Sequence, residues 1–474
     1  MIRFFQGIHG RLRDREFLDT LAGGRHGDGL KLSNADAALL RREIRACVEA
    51  RGGEASARDR AAKVGSSYLR LAERGRRAFA ELVVDELGID EDAVVETARA
   101  VAAVSDRRER RLLLDELRAR LRPPWLKLFR QFNALPSGTK FLVDLRADLL
   151  RFADDDPSLE QVERDLKRLL ASWFDIGFLE LRRITWDSPA SLLEKLATSE
   201  AVHTVADWGD LKNRLEPDRR FFALFHPRMN DEPLIFVEVA LGRGLQAEIG
   251  PLLDPATAPV DPCDADTATF YSITSAQRGL AGISFGGFLI KHVVEELSSE
   301  FPRLKTFATL SPIPGFRRWL SERLAAGSIT LEPGERDDLR ALTREADLGP
   351  ERLEPFRERL LRLCVDYLLE AKRAGGAALD PVAHFHLTNG ARIERINWLA
   401  DRSPAGLDTS LGMMVNYLYP LSEIEANHAQ YVDGNSIAVS RAVSSLARPR
   451  APRVVVVRRG DWHVVESVST EPVS

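Results

Sequence analysis

The hydrophobic period changes partway along this chain, and that change constrains the fold more than any other feature. From residue 35 to about 175, apolar residues recur every three or four positions, the spacing of helices that bury one stripe. The plainest case opens at Asp156-Pro157, with Asp156 as N-cap and Pro157 at the first helical position. Leu159, Val162, Leu166, Leu169, Leu170 and Trp173 then form the buried stripe, and Glu163, Arg164 and Lys167 the wet face. Similar stripes run through residues 69–87 and 142–152, and Pro123-Pro124 opens a further short helix. No fixed-period repeat is present, so the front reads as a bundle rather than a solenoid. His9 and His26 lie just upstream and no catalytic constellation follows, so a structural, oligomerising role is expected.

Beyond about residue 175 the pattern becomes strand-like. Residues 221–225 and 234–239 are short β-rich runs joined by a turn-rich segment from Pro227 to Pro233, which reads as a hairpin. A strand over 270–274, a helix over 288–297 and a strand over 305–310 follow. Helices fill 314–374, and strands at 384–387 and 415–421 complete the alternation. The expected architecture is an N-terminal all-α helical bundle over residues 1–175 and a C-terminal α/β (α+β) domain over 176–448. A tail of unassigned role covers 449–474.

Composition excludes several classes. Hydrophobic residues make up 44% and charged residues 29%, so extensive disorder is not expected. A formal net charge of −4 gives no global attraction to nucleic acid or an anionic membrane. Cys47, Cys263 and Cys364 lie far apart with no CxxC pair, which argues against a zinc site or a disulfide framework and fits a reducing cytoplasm. No apolar run reaches the roughly 18 residues of a membrane span. Met1–Gly7 leads into charged residues rather than a signal core, and the final Glu471-Pro472-Val473-Ser474 is no peroxisomal address. Cytoplasm is the expected location.

Three segments carry potential chemistry. The first runs from Gln277 through Ala281, Gly282, Ile283, Ser284, Phe285, Gly286 and Gly287, between a strand and a helix. Glycines there allow close approach of a ligand phosphate, and equally of another packed element. It lacks the lysine of a P-loop and the spacing of a dinucleotide fingerprint. Gly282-Ile283-Ser284-Phe285-Gly286 also matches the nucleophile elbow of α/β-hydrolases, but an elbow needs a strand leading straight into the serine, and a loop intervenes here. The second segment is Ser311-Pro312-Ile313-Pro314-Gly315, where prolines fix the direction of Ser311. Helix cap and catalytic hydroxyl are both open readings of that serine. The third is His384-Phe385-His386-Leu387-Thr388-Asn389-Gly390. On a strand the two histidines would share one face, yet no third metal ligand stands at a natural spacing. One functional imidazole before an Asn-Gly turn, or a core histidine satisfied by a carbonyl, are the readings left.

Taken in order, these segments resemble the malonyl-CoA decarboxylase family. The matching stretches are Arg183-Ile184-Thr185-Trp186, Phe270-Tyr271-Ser272-Ile273, residues 277–287, 310–316 and 386–390, Ile396-Asn397-Trp398 and Asn416-Tyr417-Leu418-Tyr419. The resemblance covers residues 180 to 445 and implies a helical bundle used in oligomerisation and a catalytic domain similar to GNAT acyltransferases. It implies decarboxylation of malonyl-CoA to acetyl-CoA, an activity of fatty acid metabolism, with no metal or organic cofactor. It places the catalytic pair on Ser311 and His386, the acyl-CoA loop on Ala281 to Gly287, and pocket residues on Asn416 and Tyr419. Leu280 stands where the GNAT phosphate loop has its first glycine. A homo-oligomer, dimer or tetramer, is the expected assembly. The rival readings are a CoA-dependent N-acetyltransferase and a non-catalytic acyl-CoA sensor.

Overall fold

The computed structural model describes residues 34–329, 333–345, 348–434 and 436–447, together with the backbone of 454–459 and 462–467. His9, His26 and the N-terminal residues read above for targeting fall outside that set. Eight helices among the described residues build the front: α1 (Asn34–Val48), α2 (Glu54–Arg70), α3 (Glu73–Leu87), α4 (Glu91–Ala103), α5 (Arg107–Arg120), α6 (Trp125–Asn133), α7 (Gly138–Ala153) and α8 (Glu160–Trp173). The start of α8 follows from its sequence. The Asp156 carboxylate accepts the Ser158 N–H, and Pro157 opens a single 3-10 turn that feeds the helix. Val162, Leu166 and Leu170 are buried along it, as their spacing requires.

The back is organised by one sheet containing β1 (Glu180–Ile184), β2 (Arg219–Phe225), β3 (Ile235–Gly242), β4 (Thr267–Ser275), β5 (Thr306–Thr309), β6 (Ser311–Pro312), β7 (Arg392–Asn397) and β8 (Met414–Leu418). The order is β1-β2-β3-β4-β5-β8-β6, with β7 on the other side of β8. The expected β2–β3 hairpin is present and antiparallel. The β4–β5 pair is parallel, the other ladders of this sheet antiparallel. Helix α9 (Gly286–Glu300) makes the crossover from β4 to β5, as a parallel pair demands. A separate hairpin pairs β9 (Val454–Arg459) with β10 (Trp462–Ser467) inside the C-terminal tail.

The segment read as a strand at 384–387 is instead a helix, α10 (Pro381–Thr388). Asp380 caps it by accepting the Val382 and Ala383 N–H groups, and Pro381 occupies its first turn. That Asp-Pro start is the same signal that opens α8, and it outweighs a short apolar run whose period cannot separate helix from strand. His384 and His386 therefore point to different neighbours rather than sharing a face.

The core is continuous between front and back: residues from α2, α7 and α8 belong to one hydrophobic cluster with residues of β2–β4, α9 and β8. The sheet's other face carries smaller clusters around Phe221 and Phe236 and around Tyr271 and Met414.

Candidate active site

The site forms where the ladder between β5–β6 and β8 is interrupted. Ala308 pairs with Leu418 and Ser311 with Val415, so Thr309 faces Tyr417 in the same register. There side chains replace the backbone ladder. The Tyr417 N–H donates to Thr309 Oγ1 at 3.1 Å, and Asn416 Nδ2 donates to the Thr309 carbonyl at 2.7 Å. Thr309 and Ser311 are two apart and share a face.

Helix α10 brings His386 onto that face. Its Nε2 lies 3.0 Å from Ser311 Oγ, and its Nδ1 lies 2.7 Å from the Tyr419 hydroxyl. Ser311 Oγ in turn donates to Thr309 Oγ1 at 2.8 Å. The serine has one proton to give, and giving it to Thr309 makes Nε2 the donor toward Ser311. Nδ1 is then bare and accepts the Tyr419 O–H. A continuous relay results, Tyr419 to His386 to Ser311 to Thr309, with every hydrogen pointing the same way. The imidazole stacks on the Tyr417 ring with centroids 4.6 Å apart and planes 24° apart, which fixes its plane.

His386 and Ser311 are 3% and 5% exposed. Desolvation holds the His386 pKa down at about 3, so the ring is neutral in the resting protein. Burial also raises the Tyr419 hydroxyl well above the ordinary phenol range, so in the resting protein it stays protonated and donates a hydrogen bond to Nδ1. His384 belongs elsewhere: its Nδ1 meets the Tyr431 hydroxyl at 2.9 Å.

Asn416 sits on the alternate face of β8. Its Oδ1 accepts from Asn397 Nδ2 at 2.8 Å and Arg395 Nε at 3.1 Å, while its Nδ2 donates to the Thr309 and Gln246 carbonyls. All four of its hydrogen-bonding positions are taken by protein, so it pins β7, β8 and the 245–246 turn together behind the dyad.

The glycine loop reaches the site through helix packing. The protein passes from β4 through a 3-10 turn (Arg278–Leu280) and residues 281–285 into α9. Gly282 has a φ of +74°, which favours glycine. A side chain at Gly286 would enter the Phe385 ring of α10, and one at Gly287 would come within 2.8 Å of Asn389 Oδ1. These two glycines let α9 and α10 cross closely, which sets the loop beside the helix that carries His386. Among the described residues the N–H groups of Ser284, Phe285, Gly286, Gly287 and Phe288 have no acceptor in the protein, and such a run suits an anion. Ser284 is exposed and lies nine residues past the end of β4, not at a strand-end elbow.

Sequence reasoning passed over Thr309 and Tyr417. Thr309 had a signal, standing two positions before Ser311 on a strand. The stacking of Tyr417 on His386 had none, because it depends on where α10 docks.

A mixed sheet opened by side chains, with a buried hydroxyl–imidazole relay at the opening and a run of free amides beside it, is an arrangement suited to proton transfer on an anionic substrate. Comparison with known proteins gives the family. Residues 177–456 match the malonyl-CoA decarboxylase C-terminal domain, and residues 87–174 the malonyl-CoA decarboxylase N-terminal domain. The chain is 39% identical to the mitochondrial malonyl-CoA decarboxylase of Anser anser anser over 412 residues, covering 80% of this chain and 81% of that one. It is 38% identical to the Mus musculus mitochondrial enzyme, covering 80% and 84%. The crystal structure of malonyl-CoA decarboxylase from Rhodopseudomonas palustris superposes with a TM-score of 0.79 at 43% identity, covering 86% of this chain and 99% of that one. That from Agrobacterium vitis gives 0.79 at 38% identity, covering 86% and 99%. The chain belongs to the malonyl-CoA decarboxylase family and is an enzyme, a carboxy-lyase. No described helix is long and apolar enough to cross a membrane.

Proposed function

We propose that this chain decarboxylates malonyl-CoA to acetyl-CoA and CO2 with Ser311 and His386 as the catalytic pair. The observation that carries this reading is the 3.0 Å contact between Ser311 Oγ and His386 Nε2 inside a buried, oriented relay. In malonyl-CoA the thioester carbonyl lies β to the carboxylate. When the carbon–carbon bond breaks, its electron pair passes into the thioester and an enolate forms. Ser311 turns its O–H from Thr309 to the thioester oxygen as charge develops there. His386 then gives its Nε2 proton to the enolate carbon as general acid. As that proton leaves, the Tyr419 hydroxyl 2.7 Å away passes its own proton to Nδ1, so the ring stays neutral and the negative charge rests on the Tyr419 oxygen until the relay is reprotonated. The relay regains its proton from solvent after product leaves. One proton is consumed and one CO2 released per turnover.

The loop from Ala281 to Gly287 takes the phosphate end of the substrate, supported by its unpaired amides. Tyr419 holds the imidazole, and Asn416 contributes by fixing β8 behind it. The sheet is of the GNAT acyltransferase kind, a reading supported by the parallel β4–β5 pair and the acyl-CoA loop that leaves β4 for a crossover helix. The proposed division into residues 1–175, 176–448 and 449–474 is one of function, although the first two share a core. The protein works as a homo-oligomer, dimer or tetramer. No residue of α5 is buried, and Val95, Leu112 and Leu121 stand exposed around the α4–α5 hairpin, an apolar surface that a second copy would cover. Cys47, Cys263 and Cys364 are unpaired thiols, in keeping with a cytoplasmic setting.

Incubation of the purified protein with malonyl-CoA in deuterium oxide tests the reading. Acetyl-CoA bearing one deuterium, formed without an amine acceptor, is the expected product. Binding without product would favour an acyl-CoA sensor instead.

A further inference from the structure

We propose that Lys167, on α8 of the helical front, is a substrate-binding residue that holds the pyrophosphate of the acyl-CoA. The proposal rests on the loop 281–287 being the acyl-CoA loop. Lys167 Nζ lies 2.7 Å from where a Cβ on Gly282 would stand, so the ammonium is already over the loop, and any side chain at 282 would displace it. The lysine's natural helical partner, Glu163 one turn before it, is engaged elsewhere. Arg146 of α7 holds that carboxylate through Nε at 2.9 Å and Nη2 at 2.7 Å, and the same guanidinium donates to the Gly279 carbonyl at 2.6 Å. Arg146 thereby clamps the loop to the bundle and removes the acid that would neutralise Lys167. Among the described residues no carboxylate pairs with Lys167.

The surrounding chain has the same sign. Residues 267–294 contain no Asp or Glu but include Arg278, Lys291 and His292. An unpaired ammonium above exposed Gly282, next to a run of free amides, is complementary to a phosphate anion.

The test compares wild type, Lys167→Met and Lys167→Arg on malonyl-CoA, its 3′-dephospho form and malonyl-pantetheine. Lys167→Met should raise KM for malonyl-CoA about tenfold with kcat within about twofold, the size of one charged hydrogen bond. Lys167→Arg should restore most of it. The effect should persist on the dephospho substrate and vanish on malonyl-pantetheine, which lacks the pyrophosphate. An unchanged KM, or an equal loss on all three substrates, would overturn the proposal, and an effect lost with the 3′-phosphate would overturn the pyrophosphate assignment. Failure of the loop reading itself would show separately, as a wild type that does not prefer malonyl-CoA to malonyl-pantetheine.

Discussion

His386 is kept neutral by its surroundings, and two pH effects follow. In the folded protein its pKa lies near 3, against 6.5 for the ordinary imidazole. Below pH 6.5 the unfolded chain takes up a proton that the folded one refuses. Its contribution to stability is therefore full above 6.5 and is lost as pH falls toward 3, at up to about 1.4 kcal/mol per pH unit. Urea unfolding of wild type and His386→Gln at pH 7, 5.5 and 4.5 should show the wild type losing ground as the pH drops. A constant difference would mean that the ring titrates alike in the folded and unfolded protein. Catalysis follows the same logic. A neutral imidazole acid gives a kcat that stays level between pH 6 and 8, whereas an imidazolium acid with an ordinary pKa would lose activity steeply over that span. Tyr419→Phe removes the partner of Nδ1 and should lower kcat at least about tenfold with little change in KM, on general acid–base precedent. Steady-state kinetics across pH for both proteins checks these points together.

Helices α9 and α10 meet through Gly286, and their crossing sets the distance between loop and dyad. Gly286→Ala would push a methyl into the Phe385 ring, costing about 1–3 kcal/mol as an overpacked contact. Because His386 is the next residue along α10, kcat should fall too, although neither Ser311 nor His386 is altered. Thermal unfolding and kinetics of that variant measure both effects. At this scale the sequence was legible where local signals agree. The stripe and the Asp156-Pro157 start of α8 were readable, as were the β2–β3 hairpin and the strand that leads to Ser311. The segment around His386 reads as a strand because the four residues 384–387 fit either period, and only the Asp380-Pro381 start marks the helix. The pairing of Ser311 with His386, 75 positions apart, came from family resemblance. No local pattern carries a contact that depends on α10 docking against β6 and β8.

The whole molecule ties a helical front to the catalytic sheet through a shared core and through Arg146. That guanidinium is 1% exposed and spans the Glu163 carboxylate and the Gly279 carbonyl. Arg146→Met removes a buried clamp from the half-buried Glu163 carboxylate and the Gly279 carbonyl and should lower stability by about 1–3 kcal/mol. Its KM for malonyl-CoA should rise as the loop loosens. The α4–α5 hairpin faces outward with Leu112 65% exposed. Leu112→Glu should shift the mass seen in sedimentation toward a smaller species while leaving each subunit's fold unchanged. An unaltered mass would count against the proposed homo-oligomer that this surface would form. The continuity of the core was not legible in the sequence, where the change of period suggests two separable units.

The most direct test sets Ser311→Ala and His386→Ala beside wild type, following acetyl-CoA formation from malonyl-CoA by mass spectrometry, with circular dichroism of each protein. Either variant should lose about 10²-fold or more in kcat with the native spectrum retained. Near-normal turnover by a folded His386→Ala protein would rule out His386 as the general acid.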